Sequence, residues 1–217
     1  MSPEMLDLFI QSFYETVLMV GVAGVFGALL GVPLGILLHL TERGGILPRP
    51  LFNRIAGIVV NAVRSTPFII LLVAIIPFTR FIVGSSIGTA AAIVPLTLAA
   101  APFVARLVEA SLREVDRGLV EAAQAMGAST SQIVFKVLVP EAFPGIVAGL
   151  TITFVSLVGY SAMAGAIGGG GLGDVGIRYG YQRFLPEVML LVVLILIVFV
   201  QLVQMAGDAL VRRLSHR

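Results

Sequence analysis

Two groups of residues in this chain have the types and spacing to do more than pack. The first is Glu121-Ala122-Ala123, followed by Gly127 and Pro140, in a charged stretch between long apolar segments. That placement predicts a docking loop on a membrane protein. The second is a run of hydroxyls, Thr151, Thr153, Ser156, Tyr160 and Ser161, with Met163 just beyond, inside an apolar segment. Neutral hydroxyls at membrane depth fit a path that passes a zwitterionic solute without holding it tightly, with Met163 as a flexible apolar plug. They fit hydrogen bonding between neighbouring helices equally well.

Bond-breaking chemistry finds no support. No G-x-x-x-x-G-K-[ST] phosphate loop occurs, and the single lysine, Lys136, follows Phe135 rather than glycine. If energy is used, it comes from a partner. The absence of cysteine removes disulfides, thiolate metal sites and cysteine nucleophiles. We expect no catalytic residues, no bound cofactor and no metal. Residues Gly168 to Gly173 satisfy G-x-G-x-x-G formally, yet they follow a membrane helix rather than a strand and lack a βαβ unit. They predict a tight re-entrant turn within a glycine-rich loop over about 167–186, with Tyr179 and Tyr181 at the interface and Arg178 and Arg183 available to an external protein. A simple flexible loop is the plainer alternative.

The elements that must position these groups are membrane helices. The chain has 217 residues, is 58% hydrophobic and only 12% charged, and has a mean hydropathy of +1.05, which places it in a bilayer as one domain over 1–217. The pI near 9.4 does not point to nucleic acid, because the fourteen basic residues are dispersed among apolar spans. About 20 apolar residues cross a hydrocarbon core of about 30 Å. Five stretches qualify: 17–40, 55–78, 87–105, 146–166 and 188–207. The first sixteen residues contain Glu4, Asp7 and Glu15 and no basic residue, so the n-region of a signal peptide is missing and the first span is expected to be retained.

Arg64 leaves only a short apolar run before Arg80, and we expect it at the interface as a snorkelling anchor beside a kink at Ser65-Thr66-Pro67, with a functional charge in the pathway as the alternative. With five spans the termini face opposite sides. The side holding the first loop, the third loop and the C-terminal tail collects eleven basic residues and the other side three, Arg80, Arg178 and Arg183. The positive-inside rule then puts the N-terminus outside and the C-terminus and the Glu121 loop in the cytoplasm. No carboxylate, lysine or histidine falls in mid-span, which argues against proton or sodium coupling. Gly27, Gly31 and Gly35, preceded by Gly24, form a stripe for close backbone approach, expected to pack within the chain rather than as a dimer seam.

Between Arg106 and Glu141 the chain turns amphipathic. Leu119, Ala122, Ala123 and Met126 share one helical face, and Ile133, Val134, Val137 and Leu138 continue after a break at 127–130. This predicts two short helices with a turn, the second stopped by Pro140 and Pro144 before the next span. Such a pair fits an interfacial lipid-lying segment as well as a protein docking site.

Here the chain resembles the permease subunits of bacterial ABC importers, whose cytoplasmic loop reads E-A-A, three residues, G, nine residues, I-x-L-P. Glu121, Ala122, Ala123, Gly127 and Pro140 match that spacing, with Val137 and Val139 as conservative replacements. Over nearly its whole length the chain is similar to the methionine importer permease family, most specifically in Arg64 to Val73, in Ala92 to Thr97, and in Gly159 to Met163 running into the glycine loop. The resemblance implies an all-α type I importer permease with five transmembrane helices, a coupling loop over about 106–145, and a bacterial inner-membrane location. It implies a second copy of the chain, two ATP-binding subunits that hold the ATP and Mg on the cytoplasmic side, an extracytoplasmic substrate-binding protein, and surrounding lipid. Ser156, Tyr160, Ser161 and Met163 would then line the path or gate. A related importer for another amino acid is the nearest alternative, and an ATP-independent channel or carrier a weaker one.

Overall fold

The computed structural model describes residues 3–215, and among them every regular element is helical. Helix α1 (Pro3–Thr41) leads, followed by α2 (Pro50–Ser65), α3 (Phe68–Ala74), α4 (Ile76–Val83) and α5 (Thr89–Arg113). The connecting region carries α6 (Arg117–Ala125) and α7 (Thr130–Ile133), then come α8 (Val139–Ala166), α9 (Gly171–Val175) and α10 (Pro186–Ser215). Among the described residues four helices are long and apolar enough to cross a membrane, and the count becomes five if α2 and α3 form one broken span. This agrees with the all-α, five-span expectation.

The first span is longer than expected. It begins at Pro3 rather than near 17, because Phe9 is drawn into a small core with Leu172, Val175 and Val192. The central spans close on one another through small residues. A Cβ added at Gly27 would come within 2.5 Å of the Cβ of Ala100, and one at Gly31 within 2.5 Å of the Ala101 carbonyl oxygen. The glycine stripe therefore lets α1 pack on α5 inside the chain, as expected, and the close approach is what gives dispersion its purchase where lipid is as apolar as the core.

The second span breaks sharply. Thr66 is extended (φ −80°, ψ 125°), the conformation a residue preceding proline prefers, and α3 leaves α2 at 105°. Pro77 at the start of α4 interrupts the run again. The predicted 55–78 helix is thus three pieces.

The prolines before α8 behave differently from expectation. Pro140 and Pro144 do not stop a helix, since the chain is helical continuously from Thr130 to Ala166. Residues 134–138 form a π turn that leads into α8. In a regular α-helix the Pro140 ring would meet the Lys136 carbonyl. The wider turn, in which the Val139 N–H reaches the Val134 carbonyl, accommodates that ring and keeps the axis running.

Candidate functional site

The Glu121 segment is a short capped helix standing on a rigid base. Asp116 opens α6 by accepting the Gly118 N–H at 2.6 Å. Gly127, at φ 78°, closes it in the left-handed conformation, and the Ala128 N–H returns to the Ala123 carbonyl at 3.0 Å. The next turn begins with a reciprocal cap between Ser129 and Gln132. Beneath them Ile133, Val134 and Leu138 are buried with Val104, Val108, Leu112 and Ala123.

The amphipathic face divides in two. Ala123 is buried, while Glu121, Ala122 and Gly127 are exposed and Leu119 and Met126 stand 45% and 82% exposed. An apolar edge beside a carboxylate is thus left uncovered by this chain. Val137 and Val139 are half-buried against the same core, and Pro140 lies exposed at the π turn. Glu121 and Gln124 also line a cavity of about 490 Å³ with Glu42, Arg113 and Arg117.

Behind that cavity lies an arrangement that sequence reading passed over. The Glu109 side chain is 3% exposed and receives Arg106 at 2.6 Å and Arg113 at 2.7 Å. Arg113 reaches on to Glu42 at 2.9 Å, and Arg106 donates to the Gly57 carbonyl at 3.1 Å. One buried carboxylate therefore ties α5 to α2 and to the end of α1. The signal was present in the spacing Arg106, Glu109, Arg113, which stacks both guanidinium groups on one carboxylate face.

The hydroxyl cluster separates into two sets. Thr151, Thr153 and Ser161 are buried, and their hydroxyls donate to carbonyls of their own helix, those of Val147, Gly149 and Val158, at 2.8–2.9 Å. They do not bond between helices. Ser161 therefore sits in packed interior. Ser156 is half-buried and Met163 is 48% exposed, and with exposed Ile152 and Gly159 they form one stripe along α8 that nothing in this chain covers. Tyr160, next to that stripe, stacks on Phe68 with ring centres 4.7 Å apart.

The expected glycine turn forms at the other end of α8. Gly168, Gly170 and Gly171 all have positive φ, a conformation that costs glycine little, and α9 then folds back against α1. The Gly171 and Leu172 N–H groups donate to the Glu15 carboxylate and the Thr16 hydroxyl at 2.8 and 2.9 Å. Arg178 pairs with Asp174, and Arg183 lies over the Tyr179 ring at 4.5 Å. The expected interface pair differs in setting, Tyr179 being half-buried and Tyr181 exposed.

A family model for the binding-protein-dependent transport system inner membrane component matches residues 31–216. The chain belongs to that family. It is thus a membrane component of a transport system rather than a catalyst. It is 57% identical over 211 residues to the probable D-methionine transport system permease protein MetI of Vibrio cholerae serotype O1, covering 97% of this chain and 94% of that one. It is 54% identical over 165 residues to the D-methionine transport system permease protein MetI of Escherichia coli K12, covering 76% of each. An inward-facing structure of the MetNI methionine ABC transporter superposes with a TM-score of 0.97 at 52% identity, over 99% of both chains. An amino acid ABC transporter solved with histidines shares the fold, with a TM-score of 0.80 at 21% identity.

Proposed function

We propose that this chain is the permease of an ATP-driven importer that carries methionine inward. It works as two copies with two ATP-binding subunits and takes its cargo from an external binding protein. The observation that carries this is full-length similarity to MetI and MetNI, at 57% identity to one relative and a TM-score of 0.97 to one structure. The α6 geometry supplies the physical counterpart. A short rigid helix with an exposed carboxylate and the uncovered apolar side chains of Leu119 and Met126 suits insertion into a cleft on a partner.

The ATP-binding subunits would close on nucleotide and carry α6 with them. The buried base under α6 makes the displacement a rigid-body one, passed to α5 and α8 through their shared core. Two packings of the bundle would then alternate, and the gate would be formed by the two α8 stripes around Ser156 and Met163, beside Tyr160. The single domain 1–217, the coupling loop 106–145 and the outer loop 167–186 belong to this reading. So does an N-terminus outside and a C-terminus in the cytoplasm, which the basic-residue asymmetry supports at ten to three even with Arg64 left out of the tally.

The test is to express the chain with its ATP-binding subunit, purify the complex, and reconstitute it in liposomes with the binding protein. A stable complex with ATP-dependent methionine uptake is the expected result. A complex that moves a different solute would keep the mechanism and remove the cargo. Absence of any ATPase partner would remove both.

A further inference from the structure

The sequence alone put Arg64 at the membrane interface. In the structure Arg64 is exposed on this chain. Its guanidinium lies over the Phe103 ring, 5.7 Å from the centroid, and lines a cavity of about 120 Å³ that also includes Thr66, Phe68, Ala99, Phe103 and Tyr160. Ala99 and Phe103 are the eleventh and fifteenth of the 25 residues of α5, so the charge sits beside the middle of that span. The bend after α2 is the reason. Because α3 departs at 105°, α2 ends beside the middle of α5, with Arg64 on a surface that this chain leaves exposed.

Arg64 has no carboxylate within ion-pairing distance among the described residues, and no hydrogen bond from it is formed there. Arg106, nearer the α6 end of α5, is by contrast held by Glu109 and the Gly57 carbonyl. An unpaired guanidinium at this depth is costly unless it faces water or an anion. The hydroxyl of Tyr160, another residue lining the cavity, also makes no hydrogen bond among the described residues. The cavity is thus an anion-seeking group and a free hydroxyl set in aromatic walls.

We propose that this cavity is a transient substrate site within the permease, in which Arg64 takes the carboxylate of an α-amino acid and the rings of Phe68, Phe103 and Tyr160 receive its apolar side chain. The inference rests on the transport reading above and adds a site to it. A guanidinium matches a carboxylate with two parallel N–H···O bonds. Thioether sulfur makes favourable contacts at ring edges. The site adjoins the uncovered α8 stripe through Tyr160, so a solute released along that stripe meets Arg64 on its way.

The test compares Arg64→Gln and Arg64→Lys with the wild type, in complex with the ATP-binding subunits. Equilibrium binding of radiolabelled methionine to the detergent-purified complex is measured without the binding protein, and uptake is measured in liposomes with it. We expect Arg64→Gln to bind fewer methionine molecules per permease, and uptake to fall about tenfold while ATPase stimulation by the binding protein stays within about twofold; Arg64→Lys should recover part of the uptake. Unchanged binding and uptake in Arg64→Gln would overturn the site, including the case in which a lipid phosphate holds the guanidinium. Loss of uptake and of ATPase stimulation together in both variants would also overturn it, marking Arg64 as structural. If the wild-type complex carries another carboxylate solute, the methionine assignment falls, and the same comparison made with that solute decides the site.

Discussion

At the residue scale the informative contrast is between charges that are paired and charges that are not. Glu109 is enclosed by two arginines, and its role is to hold three helices at a fixed spacing. Leaving that buried carboxylate without its guanidinium groups would cost roughly 3–5 kcal/mol, whereas Arg113, 53% exposed and also paired with Glu42, would lose little on its own account. Glu121 is the opposite case, exposed and without an ion pair among the described residues. Its replacement should cost the fold little, within about 0.5 kcal/mol for an exposed position. Glu121→Lys is therefore expected to insert in the membrane and purify normally, yet to lose roughly tenfold or more of its ATP-driven uptake while the bound subunits still hydrolyse ATP, because reversing a charge at a docking surface costs several kcal/mol. Uptake and ATPase rate measured on the same liposomes decide this. Normal uptake by that variant would remove Glu121 from the coupling surface.

At the element scale, apolar length and small-residue spacing are legible because each reports a local requirement. The runs ending near Leu40, Ala105, Ala166 and Gly207 became helices, and the glycine stripe became the α1–α5 contact. The failures share one cause, in that proline has two outcomes which its neighbours in the chain do not choose between. Pro67 broke a helix because Thr66 could turn extended with α3 stacked on Tyr160, whereas Pro140 was absorbed by a π turn because Ile133, Val134 and Leu138 were pinned in the core on its near side. The setting of Arg64 beside the middle of α5 was illegible for the same reason, since a 105° bend lies outside what hydropathy records. The α8 hydroxyls could not be divided between path and interior without the helix's rotation, which packing against α5 and α10 sets. The stripe itself yields a test. A methyl at Gly31 must displace Ala101 or Val104, while at Gly21 it meets nothing within 4 Å. Gly31→Ala should lower the stability of the detergent-solubilised permease by about 1–3 kcal/mol, and Gly21→Ala should leave it unchanged or slightly raised. Thermal unfolding of the two variants beside the wild type is the measurement, and equal melting temperatures would mean that α1 and α5 can separate at no cost.

At the scale of the whole molecule the question is which uncovered surface meets a second copy and which meets lipid. Both α8 and α10 present apolar faces. Those of α10, such as Leu190, Leu194, Ile197 and Leu202, are large aliphatic groups, as expected of a helix that faces acyl chains. The α8 stripe is different in kind, combining Gly159, Ser156 and Met163 with a bordering tyrosine. Small and polar residues are what membrane helices bring to one another, and not what they offer to lipid. The pairing of copies is therefore expected along α8. Because the chain contains no cysteine, one introduced thiol reports its surroundings without interference. Met163→Cys should give a cross-linked permease dimer with a short bifunctional maleimide in the intact complex, and its yield should change when ATP is added, as a gate that opens would require. Leu194→Cys should stay monomeric under the same conditions. The reverse pattern would move the dimer seam to α10 and take Met163 out of the gate, and a Met163→Cys dimer indifferent to ATP would keep the seam while showing that the α8 stripe does not move.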